Sequence, residues 1–144
     1  MVSQLVSLTT KGRWPILDDT DASPNRIGET LNPTDAAQLI VEVASEELAE
    51  DIVMLDLRQI TSLADYFVVM TSQSSRQTEG LEVAITSALK DAGVARFHRE
   101  GIQGSGWVLL DFSNVIVHIF GQDEREFYAL ERLWYQAKPV VRVQ

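Results

Sequence analysis

Gly101–Trp134 reads GIQGSGWVLLDFSNVIVHIFGQDEREFYALERLW, two adjacent strands followed by a short helix. Between Phe112 and Val115 sit only Ser113 and Asn114, a pair suited to a tight hairpin because Asn tolerates a positive φ. If Phe112 pairs with Val115, then Leu110 meets Val117 and Val108 meets Ile119, so one face of the hairpin is wholly apolar. The other face carries Trp107, Leu109, Asp111, Ile116, His118 and Phe120. It mixes large aromatics with ionisable groups, as a partner-binding or helix-covered surface does. Asp123, with Glu126 three residues on, is expected to cap a helix running to about Trp134. On that helix Phe127, Leu130 and Trp134 share a face that should pack inward. Tyr128, offset by about 100°, belongs at the rim.

The chain before the hairpin supplies the rest of an α/β domain. Asn32 is placed to cap a helix with Pro33 at its first position and Asp35 in its first turn. Ala36, Leu39, Ile40, Val43, Ala44 and Leu48 then form an apolar stripe. Ile52–Leu57 and Tyr66–Met70 are short, nearly continuous apolar runs, the pattern of strands covered on both faces. Ser74 and Gln77 form a capping box. A second helix with Leu81, Ala84, Ile85, Ala88, Leu89 and Ala92 on its buried side should follow, closed by Gly93. A third strand is expected over Val94–Arg99, parallel to its predecessor through a right-handed crossover. Gly101, Gly104 and Gly106 precede a strand, not a helix, so they read as a connector and not as a phosphate loop. The expected fold class is α/β, a mixed sheet of about five strands flanked by helices in the order α-β-β-α-β-β-β-α.

Composition bounds the function. The 144 residues fit one domain with extensions, and no run approaches the roughly 18 apolar residues of a membrane span. With no basic-then-apolar secretory layout at the N-terminus, a cytoplasmic location is expected. Zero cysteines and two histidines leave little for disulfides, thiolate chemistry or a transition-metal cage. A net charge of −9 disfavours a broad nucleic-acid surface and favours a basic protein partner. Residues 1–31 show no sustained apolar period and carry Asp18, Asp19 and Asp21, so they are expected to be a disordered extension. Asp19-Thr20-Asp21 has the spacing of metal-dependent nucleotide transferases but lies outside any strand pattern. Residues 32–136 form the expected domain. Residues 137–144 form a tail that a partner would order.

The stretches DIVMLDLR (51–58), SLADYFVVMTSQSSRQ (62–77), GWVLLDF (106–112), VIVHIF (115–120) and EREFYALERLW (124–134) resemble the Iojap-type ribosomal silencing factor family, in order, over about Leu31–Trp134. The resemblance implies a mixed α/β domain related in fold to nucleotidyltransferases, without enzymatic activity and without a cofactor. It implies a translational repressor that binds the large ribosomal subunit at large-subunit protein fourteen and blocks joining of the small subunit. It also implies a monomer or a homodimer. Trp107 and Tyr128 match family residues needed for that contact; Asp65, Tyr66, Asp111, His118, Arg125, Glu126 and Glu131 also match the family pattern. GIQGSG (101–106) departs from it, since many members have a Glu-rich segment there, and residues 1–31 lie outside it. The alternative from a different class is a nucleotidyltransferase-like, nucleotide-binding enzyme. It has fold kinship in its favour but no D-x-D pair on a strand of the expected domain.

Overall fold

The structure is a computed structural model that describes residues 31–102 and 104–144. The expectations for residues 1–30, the extension and the Asp19-Thr20-Asp21 pair, fall outside the described residues. The elements are α1 (Pro33–Glu46), β1 (Glu50–Asp56), β2 (Tyr66–Ser72), α2 (Ser75–Asp91), β3 (His98–Glu100), β4 (Trp107–Asp111), β5 (Val115–Gly121), α3 (Gln122–Tyr128), α4 (Leu130–Leu133) and β6 (Lys138–Val143). They build one mixed sheet of six strands, ordered β3-β4-β5-β2-β1-β6. β2 and β5 are parallel; every other neighbouring pair is antiparallel.

Local signals set the helix starts. The Asn32 side chain accepts from the Asp35 amide at 2.8 Å, and Ser74 Oγ accepts from the Gln77 amide at 3.1 Å. Each satisfies an amide that has no partner within its helix. The hairpin takes the register that its apolar pattern requires: Leu110 faces Val117 and Val108 faces Ile119, with the Phe112 amide donating to the Val115 carbonyl at 2.9 Å. The positive φ falls on Ser113 (79°), not on Asn114. The Asp111 carboxylate holds that turn by accepting from the Ser113 amide at 2.7 Å. The Asn114 carbonyl accepts from the amides of Asp65 and Tyr66, which ties the hairpin turn to the start of β2.

Strand alternation then separates two cores. On one face Ile52, Met54, Val68, Met70, Val108, Leu110, Val117 and Ile119 pack under Ala37, Ile40 and Ala44 of α1 and Leu81, Ile85 and Leu89 of α2. On the other, Val53, Leu55, Phe67, Val69, Trp107, Leu109, Ile116 and Phe120 lie beneath Leu57, Leu63, Ala64, Leu130 and Ala137. This second face carries the mixed set of residues from the hairpin, and it is covered by the β1–β2 connection and the segment after β5.

Four expectations are corrected. The strand after α2 is only His98–Glu100, antiparallel to β4 at the sheet edge, and the parallel partner of β2 is β5. A central place buries both faces: β5 (VIVHIFG) is buried at its first six positions, whereas β3 carries His, Arg and Glu. The segment 137–144 is not a loose tail, because Lys138–Val143 pairs antiparallel with β1. Pro139 sits opposite Leu55 where the register shifts, the edge position at which a residue without an amide proton is tolerated.

The last two corrections concern the helix after β5. It is capped at Gly121 and not at Asp123, which lies in the first turn. It is also broken at Ala129, whose φ of 43° and ψ of 52° are left-handed. The break lets Leu130 drop fully beneath the sheet and Trp134 set its ring edge-on to Phe67 at 5.4 Å. Phe127, expected inward on a continuous helix, is instead rotated to the surface at 78% exposure.

Candidate functional site

The second sheet face and the broken helix form one aromatic assembly. Trp107, on β4, is buried at 5% exposure. Its ring lies 4.8 Å from Phe120 and 4.6 Å from Tyr128. Tyr128, at the end of α3, is half-buried, and its other side meets Phe127 edge-to-face at 4.9 Å and 86°. Trp107, Tyr128 and Phe127 therefore make a column of rings that rises from core to solvent. Such tilted and edge-on pairs are favoured by the ring quadrupole, each contributing about 0.5–1.5 kcal/mol beyond buried area.

His118 sits beneath the column, fully buried on β5. Its Nδ1 accepts from the Trp107 indole N–H at 3.2 Å, and its ring meets the Phe67 ring at 4.6 Å and 70°. Its Nε2 has no hydrogen-bond partner among the described residues. Burial pushes its pKa down from 6.5 to about 3, so the ring is neutral. Asp111, also fully buried, serves the hairpin turn. His118 is thus a structural support of the aromatic face, and Asp111 of the hairpin turn.

The charged residues of α3 and α4 divide by role. Arg125 donates to Thr71 Oγ1 at 2.7 Å and to Glu131 Oε2 at 2.7 Å, so one guanidinium joins β2, α3 and α4 across the Ala129 break. Burial pushes the Glu131 carboxyl up, but the hydrogen bonds and charge of Arg125, with Arg142 farther off, hold it below its ordinary value. Glu126 and Asp123 are exposed. The Glu124 carboxylate lies against Gly106 and Gly121, where a Cβ would collide with it, and Gly106 also has a φ of 81°. The glycine connector is thus shaped to receive α3. Asp65 and Tyr66 lie at the head of β2, with the Tyr66 hydroxyl 2.8 Å from Thr34 Oγ1, apart from the aromatic column.

A cleft of about 670 Å³ opens beside this unit, between the start of α2 and the glycine connector. Glu79, Glu82, Asp123 and Glu124 line it, and its Arg99 is held by Glu82 through hydrogen bonds of 2.6 and 2.9 Å. Among the described residues no group of three or more His, Asp or Glu is placed to hold a metal ion. No helix among them is long and apolar enough to cross a membrane.

The structure brings Trp107, Tyr128 and His118 together and links Arg125 to Glu131. It leaves Glu126 on the surface and Asp111 in the turn. The residues that sequence reasoning missed are Phe127, as a surface ring, and Thr71, as the anchor of Arg125. The only sequence signal for the latter is a hydroxyl at the end of an otherwise apolar strand.

An open mixed sheet with helices over one face and a broken helix and aromatic column over the other defines a small mixed α/β domain with one aromatic face. The chain belongs to the ribosomal silencing factor family: the sequence profile described as "Ribosomal silencing factor during starvation" matches residues 30–144. The chain is 33% identical over 107 residues to ribosomal silencing factor RsfS of Bacillus subtilis, covering 74% of this chain and 91% of that protein. It is 35% identical over 103 residues to RsfS of Chromobacterium violaceum, covering 72% and 84%. Protein Iojap of Zea mays chloroplasts is 34% identical over 104 residues, 70% of this chain and 44% of that longer protein. A crystal structure of a Chromobacterium violaceum protein superposes with a TM-score of 0.70 at 32% identity, covering 79% of this chain and 95% of that one.

Proposed function

We propose that the protein represses translation by docking on the large ribosomal subunit at large-subunit protein fourteen, where its bulk keeps the small subunit from joining. The observation that carries this is the family match over residues 30–144. The aromatic column supports it, because a half-buried Tyr128 on a Trp107 base, beside exposed Asp123 and Glu126, is the kind of rigid apolar anchor with a charged rim that protein interfaces use. A net charge of −9 suits a basic ribosomal surface and speeds encounter with it. Within the site Tyr128 and Glu126 make contact. Trp107, His118 and the Arg125–Glu131 pair hold the contacting surface in place, and Asp111 holds the hairpin turn. Action is steric, in the cytoplasm, and requires no cofactor or catalysis.

The nucleotide-transfer alternative draws little from the cleft, where Glu79, Glu82, Asp123 and Glu124 outnumber the one cation among the described residues lining it, Arg99, and Glu82 already pairs with it. The test is co-sedimentation of the full chain with purified large subunits. Wild type should pellet with them, and Tyr128→Ala should weaken binding by about 2 kcal/mol, roughly thirtyfold. Failure of wild type to pellet, or undiminished binding by Tyr128→Ala, contradicts the proposal.

A further inference from the structure

Building on docking to the large subunit, we propose that Phe127 is the outermost anchor of the contact, and that the partner offers it an apolar recess rimmed by Lys or Arg. Three observations meet here. Phe127 is 78% exposed although a continuous helix would have turned it inward beside Leu130. Ala129, two residues on, adopts a left-handed backbone that separates the outward face carrying Phe127 from the inward Leu130, a conformation that non-glycine residues rarely take and that persists only where surrounding structure enforces it. Arg125 supplies that enforcement, bonded to both Thr71 and Glu131 across the break.

The ring is also held before any partner arrives. Phe127 meets Tyr128 edge-on at 4.9 Å, and Tyr128 leans on the buried Trp107 at 4.6 Å. A ring already fixed in place loses little freedom on binding, and rigid aromatics surrounded by polar groups are the usual anchors of interfaces. Of the other strongly exposed apolar side chains, Leu48, Val83 and Ile102 carry no ring, and Tyr135, at 76% exposure, meets none of the rings of the column.

Charge complementarity names the occupant. Asp123, one helical turn before Phe127, and the adjacent Glu126 are exposed, while the cation of this helix, Arg125, is turned inward. An aromatic ring with an acidic rim fits a basic protein surface with an apolar dent, and not a second copy of this acidic chain.

The experiment uses the full chain and purified large ribosomal subunits, with binding read by co-sedimentation and self-association by sedimentation velocity. Phe127→Ala should weaken binding at least about tenfold, and Phe127→Leu by less than about threefold, with both variants still folded at the assay temperature because the exposed side chain covers little. Val83→Ala and Ile102→Ala should bind normally. The inference is overturned if Phe127→Ala binds within about twofold of wild type while Tyr128→Ala fails to, or if Val83→Ala and Ile102→Ala weaken binding as much, since general surface hydrophobicity would then be responsible. It is equally overturned if Phe127→Ala abolishes a homodimer and leaves ribosome binding unchanged. Wild type that does not pellet with large subunits refutes ribosome docking itself, a result distinct from any of these.

Discussion

The indole N–H of Trp107 donates to Nδ1 of His118 at 3.2 Å, and this one bond fixes the chemistry of both side chains. Because Nδ1 accepts, the neutral ring must carry its proton on Nε2. The histidine therefore works as a buried acceptor beneath the aromatic column. It has neither the exposure nor the proton affinity of a general base near neutral pH.

Stability should consequently depend on pH in a predictable direction. Folding lowers the His118 pKa from 6.5 to about 3, so on acidification the unfolded chain takes the proton first. The stabilisation is complete above pH 6.5 and is lost progressively as pH falls toward 3, with a limiting slope of about 1.4 kcal/mol per pH unit. Urea unfolding at pH 7 and pH 5 measures this. His118→Gln, which can still accept from Trp107 but does not titrate, should lose markedly less stability between the two pH values. An identical loss in both proteins would refute the assignment.

Trp107 is a buried support of the aromatic column. At 5% exposure, packed on Phe120, Tyr128 and His118, its truncation to alanine should cost about 3–5 kcal/mol. Chemical denaturation should show that loss, whereas Trp107→Phe, which keeps a ring in the stack, should lose less. Ribosome binding by Trp107→Ala therefore has to be read at a temperature where the variant is folded. A cost below about 1 kcal/mol for the alanine variant would mean that the indole is not part of the core.

The Arg125–Glu131 pair should be coupled beyond an ordinary surface ion pair. The arginine side chain is 11% exposed and the glutamate 31%, and the guanidinium reaches Thr71 as well. A double-mutant cycle with Arg125→Ala and Glu131→Gln should return about 1 kcal/mol or more at neutral pH. Because the folded Glu131 pKa lies below its ordinary value of 4.5, this contribution is present above that pH and is lost as pH falls through the folded pKa. Coupling near zero would class the pair with solvent-screened surface bridges.

Ala129→Gly tests the helix break. A left-handed backbone costs an alanine about 1 kcal/mol that glycine avoids, partly offset by the freedom glycine gains in the unfolded chain. The variant should be unchanged to about 0.5 kcal/mol more stable, measured by urea unfolding. A loss of 1 kcal/mol or more, the usual direction for glycine in a helix interior, would indicate a continuous helix with Phe127 turned inward.

What the sequence made legible follows from range. The hairpin register and its two faces could be read because a period of two and a tight turn are local facts, and Val108, Leu110, Val117 and Ile119 obey them. Asn32 and Ser74 were legible for the same reason. The place of β5 beside β2 was not, because only competition among strands for the buried centre decides it. Nor was the break at Ala129, since alanine favours helix and the pull comes from Leu130 and Arg125 reaching distant partners. β6 was hidden by its proline, its charged residues Lys138 and Arg142, and its exposed edge. At the site, parity placed Trp107 on the mixed face but could not give its depth, which depends on Tyr128 arriving from α3.

Subunit joining tests the central claim most directly. Purified large subunits are incubated with the full chain, small subunits are added at a magnesium concentration that supports joining, and the products are resolved by sucrose-gradient sedimentation. The account predicts that the protein travels with the large subunit and that the joined peak falls as protein is added, with Tyr128→Ala requiring roughly thirtyfold more protein for the same effect. An undiminished joined peak at saturating occupancy of the large subunit would contradict it.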